Sequence, residues 1–158
     1  MKTFITALLL TCTLLMFQEP LKAQDRGFGI GATIGTYDGI SWKNWISDRA
    51  AVAGLITFSI AENTTMLHAH ADYLMHKFYE SLEWEVGHLH YYYGGGLGLT
   101  WREWSDDNIF TIRAPSGLGF NFTDVPIDLF FELAPTLAVA PSFQFGFEGS
   151  IGFRFYLN

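Results

Sequence analysis

The chain is poor in charge. Asp, Glu, Lys and Arg make up 16% of its 158 residues, against about 25% in an ordinary soluble domain. Basic residues are the scarcer kind: 9 Lys and Arg stand against 16 Asp and Glu, for a net charge of −7. A nucleic-acid interface needs a face of clustered Lys and Arg, so that class is excluded. Cysteine is nearly absent too, with Cys12 alone. It lies in a leader: Lys2, an uncharged run from Phe4 to Phe17, and a small residue at Ala23. This pattern predicts a secretory signal peptide over 1–23, cleaved before Gln24, which leaves one domain over 24–158. The run is 14 residues long, short of the ~17–25 that a spanning helix needs. Thr11 before Cys12 and more apolar chain after it do not fit a lipidation site. The exported chain then has no thiol for a disulfide, a metal thiolate or a nucleophile.

What the chain has in abundance is alternation. In the closing stretch "SFQFGFEGSIGFRFYLN", Phe143, Phe145, Phe147, Gly149, Ile151, Phe153, Phe155 and Leu157 fall on one parity. Gln144, Gly146, Glu148, Ser150, Gly152, Arg154 and Tyr156 fall on the other. A period of two is the signature of a β-strand with one apolar and one polar face. Seven further segments read the same way: 27–35, 39–46, 52–60, 66–76, 88–102, 110–122 and 127–139. Short connections rich in Asp, Asn, Gly and Pro join them, except for the longer, acidic stretch "KFYESLEWEVG" over 77–87. Eight consecutive strands predict an antiparallel up-and-down meander that closes on itself and leaves no exposed edge.

Two eight-stranded solutions differ in which face points inward: a soluble carrier of lipocalin type, or a transmembrane β-barrel. Three arguments favour the second. An eight-stranded interior is just wide enough for its own side chains, and the Gly-, Ala-, Ser- and Thr-rich face fits there better than the phenylalanines. The seven mid-strand charges, Lys43, Asp72, Arg113, Asp128, Glu132, Glu148 and Arg154, all lie on that small-residue face; on a lipid face an Arg or Lys costs ~2–4 kcal/mol. The segments are also longer than the soluble mode of ~5–6 residues. The expected fold is an all-β, eight-stranded antiparallel up-and-down transmembrane β-barrel, with outer-membrane lipid around it.

Registers drawn through the turns place Arg102 opposite Ile109, Arg113 opposite Gly98, Asp128 opposite Arg154 and Ala134 opposite Glu148. The seven charges would then form an ion-pair network that plugs the lumen, since desolvated charges are tolerable only when paired. Trp42, Tyr73, Trp101 and Trp104 suit an interfacial girdle, with Trp45 facing inward. The glycines at 94, 95, 96 and 98 leave room for bulky interior partners.

The stretches "GISWKNW", "HADYL", "YYGGGLG", "IRAPSGLGFNF", "PIDLFFELAP" and "GSIGFRFYLN", taken in order, resemble a family of small outer-membrane β-barrel proteins of Gram-negative and spirochaetal bacteria, of unknown function. The architecture is similar to the membrane domain of the outer-membrane protein A type. The spacing Ser150-x-Gly152-x-x-Phe155-x-Leu157 is similar to the signal read by the barrel-assembly machinery, though the chain ends in Asn158 rather than an aromatic residue. The resemblance implies a bacterial outer-membrane location and that machinery as a partner during biogenesis. It supplies no reaction.

Histidines are the remaining chemical feature. His68, His70, Asp72 and His76 share a face, with His88 and His90 on the next strand. If 77–87 folds symmetrically, His76 faces His88 with His90 beside it, and these three are the candidate metal ligands. A polar mouth hydrogen-bonded to Tyr92 and Asp72 is the preferred reading, and no metal or other cofactor is expected. No catalytic residue is assigned: the histidines point inward, and the nearest serine, Ser81, falls in the connection. The expected role of the monomer is structural or surface-interacting. A narrow channel for small solutes or protons, or a lipid A-editing enzyme, are the alternatives.

Overall fold

The computed structural model describes residues 27–61, 64–103 and 108–157. The expected leader with Cys12, and Trp104, lie outside the described residues. The strands are β1 (Phe28–Gly35), β2 (Gly39–Trp45), β3 (Ala50–Ala61), β4 (Thr64–Trp84), β5 (Gly87–Arg102), β6 (Ile109–Arg113), β7 (Ser116–Phe122), β8 (Ile127–Ala140) and β9 (Gln144–Leu157). Every pairing between them is antiparallel. β1 pairs with both β2 and β9, and β4 pairs with both β3 and β5, so the sheet returns on itself as a ring.

The ring has eight positions for nine strands because β6 and β7 share one. Both lie between β5 and β8, separated by Ala114 and Pro115. Proline has no N–H to give the ladder, yet the gap stays bridged: Gly94 N–H donates to the Pro115 carbonyl at 2.9 Å, and Ala114 N–H to the Pro135 carbonyl at 3.0 Å.

Turn chemistry closes the ends. Asp38 Oδ1 accepts the Gly35 N–H at 2.8 Å between β1 and β2. Ser47 Oγ accepts the Ala50 N–H at 3.1 Å between β2 and β3. The described residues begin and end at one rim, where Phe28 faces Leu157. That rim also carries the turns at 46–49, 85–86 and 123–126.

Two expectations from the sequence are corrected. The stretch 77–87 is not a loop: β4 continues to Trp84 and turns at 85–86 only. A register irregularity between Phe78 and Glu83 absorbs extra residues, so His76 faces Tyr92 and Glu83 faces His88. His76 therefore does not oppose His88. Across the β5–β6 turn, Arg113 faces Gly96 and Ile109 faces Thr100, two residues from the expected register. The expected pairs Asp128–Arg154 and Ala134–Glu148 are the observed ones.

The parity of each strand decides its faces. Large apolar side chains stand outward all round, among them Ile60, Leu97, Phe131, Leu133, Phe147 and Ile151. The buried set is mostly polar: Thr33, Ser41, Lys43, His68, Asp72, His76, His90, Arg113, Asp128, Glu132 and Arg154 among others. Apolar filler inside is confined to a few residues such as Leu74, Tyr92, Phe130 and Tyr156. Glycines on neighbouring strands make room for the bulky ones. A Cβ at Gly117 would stand 2.5 Å from the Tyr92 phenol, and one at Gly152 would stand 2.6 Å from the Phe130 ring.

Candidate functional site: the charged interior of the ring

The interior side chains form two charged tiers. The tier nearer the Phe28–Leu157 rim centres on Asp128, 1% exposed. Lys43 Nζ lies 3.5 Å and Arg154 Nη1 lies 3.7 Å from its Oδ2, and the Tyr156 hydroxyl donates to the same oxygen at 2.7 Å. Trp45 Nε1–H donates to the Tyr156 oxygen at 3.1 Å, which turns that indole inward. Arg154 is held from two more sides: its Nε donates to Ser41 Oγ at 2.8 Å, and its guanidinium lies 3.8 Å from the Phe130 ring centroid. Such a stacked cation keeps its hydrogen-bond donors free for in-plane partners.

The second tier centres on Arg113, which β6 delivers to the interior opposite Gly96. Its Nε faces Asp72 Oδ1 at 3.1 Å, its Nη2 meets Glu132 Oε1 at 2.6 Å, and its Nη1 meets Glu148 Oε2 at 2.7 Å. One guanidinium thus engages carboxylates from β4, β8 and β9, using the fork of donors that lysine lacks. Its Nη1 also lies 2.6 Å from His70 Nδ1. Tyr92 donates to Glu132 Oε2 at 3.1 Å.

Beyond Arg113, His68 Nε2 and His70 Nδ1 face each other at 3.2 Å. His68 Nδ1 sits 2.8 Å from Thr100 Oγ1, and His70 Nε2 is 3.6 Å from Asp72 Oδ2. The Tyr37 ring, from the β1–β2 turn, stacks on His68 with centroids 3.7 Å apart. Burial raises the pKa of the Tyr37 phenol above its ordinary value.

The structure therefore brings together all seven charges singled out in the sequence: Lys43, Asp128 and Arg154 in one tier, Asp72, Arg113, Glu132 and Glu148 in the other. It does not bring together the three expected metal candidates. His76 and His90 are neighbours, with ring centroids 5.2 Å apart, but in an aromatic packing with Trp45, Phe78 and Tyr92. Among the described residues, neither ring nitrogen of His76 has a hydrogen-bond partner. His90 Nδ1 is 3.2 Å from the Asn121 amide, and its Nε2 is directed at Gly119. His88 stands apart beside Glu83 at 3.6 Å. The groups whose ligand atoms do converge are His68, His70 and Glu148, and His70, Asp72 and Glu132. The shared parity of His68 and His70 was visible in the sequence. Their meeting with Glu148 of β9 depends on ring closure, which no local pattern reports.

Trp42, Tyr73 and Trp101 all occupy outward parity, Tyr73 and Trp101 exposed and Trp42 half-buried. Of the assembly-signal spacing, Phe155 and Leu157 are exposed outward and Ser150 and Gly152 are half-buried. Among the described residues, no helix is long and apolar enough to cross a membrane. The class defined at this point is a closed antiparallel sheet with an ionic interior and an apolar exterior. Compared with family models, curated proteins and solved structures, the chain finds no match.

Proposed function

We propose that this chain is a monomeric transmembrane β-barrel of a bacterial outer membrane, with a structural or surface-interacting role and an interior plugged by its own charges. One observation carries the reading: polarity is inverted around a closed sheet. Leu97, Ile60 and Phe147 are 68%, 72% and 68% exposed, while Lys43, Asp72, Arg113 and Asp128 are at most 4% exposed. In water a continuous apolar exterior of this kind is an aggregation liability, since monomers rarely expose patches beyond a few hundred Å². In lipid it is the required surface, and closure gives each wall position a strand partner on both sides over the central part of the ring. The Ser150, Gly152, Phe155 and Leu157 spacing supports delivery by the barrel-assembly machinery, and the apolar leader supports export.

The plug follows from the two tiers. Arg113 with its carboxylates and Asp128 with its cations cross the interior from opposing strands, so an ion would have to break buried pairs to pass. This favours a structural barrel over a channel. The hydroxyl–imidazole contact of Thr100 with His68 is buried in the interior, away from the outward face where lipid editing would need it.

The deciding experiment refolds mature protein with and without detergent or lipid vesicles, and follows circular dichroism and gel migration before and after boiling. The expected result is a β-rich species that needs amphiphile, migrates differently when unboiled, and gives no conductance in planar bilayers. A β-rich monomer that forms equally well in plain buffer would overturn the membrane reading.

A further inference from the structure

We infer that His68, His70 and Glu148 form a binding site for one divalent transition-metal ion, of the Zn²⁺ type, at the end of the interior opposite the rim where Phe28 faces Leu157. Their donor atoms all lie within 4.8 Å of one another. Three further features make this more than a cluster.

The first is the spacing of the imidazoles. His68 Nε2 and His70 Nδ1 are 3.2 Å apart. Two ligands on one tetrahedral zinc, with bonds of about 2.0–2.1 Å, stand about 3.3 Å apart. The second is what lies behind each ring. Thr100 Oγ1 is 2.8 Å from the far nitrogen of His68, and Asp72 Oδ2 faces the far nitrogen of His70 at 3.6 Å. Arg113 Nη1, a donor only, lies 2.6 Å from His70 Nδ1, which makes that nitrogen the lone pair and puts the His70 proton on Nε2, on the side of Asp72; a Thr100 hydroxyl that accepts from His68 Nδ1 leaves His68 Nε2 as the second lone pair. That arrangement is the outer shell of a histidine metal site, and Tyr37 stacked on His68 fixes the ring plane.

The third feature is charge. Asp72, Glu132 and Glu148 bring three carboxyl groups to a tier that holds one guanidinium. The surplus cation of the other tier lies with Asp128, and Arg102 is half-buried on β5 near Tyr37. With all three ionised, a divalent ion brings the Arg113 tier to neutrality. A buried imbalance of two charges is otherwise costly. Arg113 is the internal competitor, since its Nη1 touches both His70 and Glu148. It can yield that position and stay paired, because its Nε and Nη2 remain on Asp72 and Glu132.

A cleft at the turn end, lined by Thr36, Tyr37, His70, Arg113, Glu148 and Ser150 among others, reaches two of the three ligands. Nitrogen and carboxylate donors select Zn²⁺ or its d-block neighbours over Ca²⁺ and Mg²⁺, which prefer all-oxygen sites.

The test is calorimetric titration of untagged, refolded protein with Zn²⁺, in whichever medium supports the fold. Folding is checked by circular dichroism in every variant. The site lies inside the ring whether or not the ring spans a membrane, so its failure and the failure of the membrane reading are separate results. The expected outcome is one Zn²⁺ per chain and a higher unfolding midpoint in its presence. Affinity should fall at least about a hundredfold in His68→Gln, and about ten- to a hundredfold in Thr100→Val, which keeps all three ligands. His88→Gln should bind as the parent does. The inference is overturned if the folded parent shows no saturable binding, or if Thr100→Val and a folded His68→Gln both bind Zn²⁺ undiminished.

Discussion

Arg113 and Glu148 make a contrasting pair at the scale of the residue. Arg113 is 4% exposed and is the guanidinium on which three carboxylates converge. Arg113→Met keeps the length of the side chain and strands those carboxylates, an uncompensated burial that costs about 3–5 kcal/mol. Glu148→Gln does the opposite. It removes one of the surplus negative charges from the same tier, keeps an acceptor for Arg113 Nη1, and should change stability by less than about 1 kcal/mol. Urea unfolding followed by tryptophan fluorescence, without added metal, separates the two. Equal losses would mean that the tier is not charge-imbalanced in the folded protein. Crowding sets a second residue-scale expectation. The Tyr92 phenol occupies the space that a Cβ at Gly117 would need, so Gly117→Val should cost about 1–3 kcal/mol by overpacking. The same change at outward-facing Gly95, where a Cβ meets nothing closer than 3.9 Å, should cost much less. These roles were partly legible in the sequence. Parity put Arg113, Glu148, Tyr92 and Gly117 on one face, but a three-way contact from β4, β8 and β9 requires the ring to be closed first.

At the scale of the element, registers were legible where the turn is tight. The β8–β9 connection is three residues long, 141–143, which leaves little freedom, so Asp128 meets Arg154 as the alternation implies. The β4–β5 hairpin misleads because the extra residues between Phe78 and Glu83 break period two. Its acidic, aromatic sequence reads as a loop, yet it is strand. That extension has a physical consequence. β3 begins pairing with β4 at Ala50 opposite Met75, and His76 N–H still reaches the Arg49 carbonyl at 2.7 Å. Beyond that point β4 pairs with β5 alone. Phe78, Tyr79 and Trp84 are exposed along it. A one-sided ribbon opens locally at low cost, so amide hydrogen exchange should run faster over 77–84 than over 66–76. Equal protection along the whole strand would require a partner on the free edge.

For the whole molecule, the proposed lipid surroundings of the apolar exterior can be tested without identifying a ligand. Leu97 on β5 and Leu133 on β8 face outward, 68% and 51% exposed, with strand on both sides of them. Exposed positions in a water-soluble protein tolerate polar substitution within about 0.5 kcal/mol. On a lipid-facing wall, an arginine near the bilayer midplane costs about 2–4 kcal/mol. Leu97→Arg and Leu133→Arg, unfolded from vesicles of fixed lipid composition, should each lose stability in the second range. Phe143→Arg in the β8–β9 turn, 80% exposed, should lose little, because a turn residue at the rim reaches water. The depth dependence is the informative part. A soluble ring makes all three substitutions mild, and a ring destabilised by general disruption makes all three severe. Loss confined to Leu97 and Leu133 ties the apolar exterior to lipid. It would also account for the placement of the mid-strand charges, which pair in the interior and leave the outward face apolar.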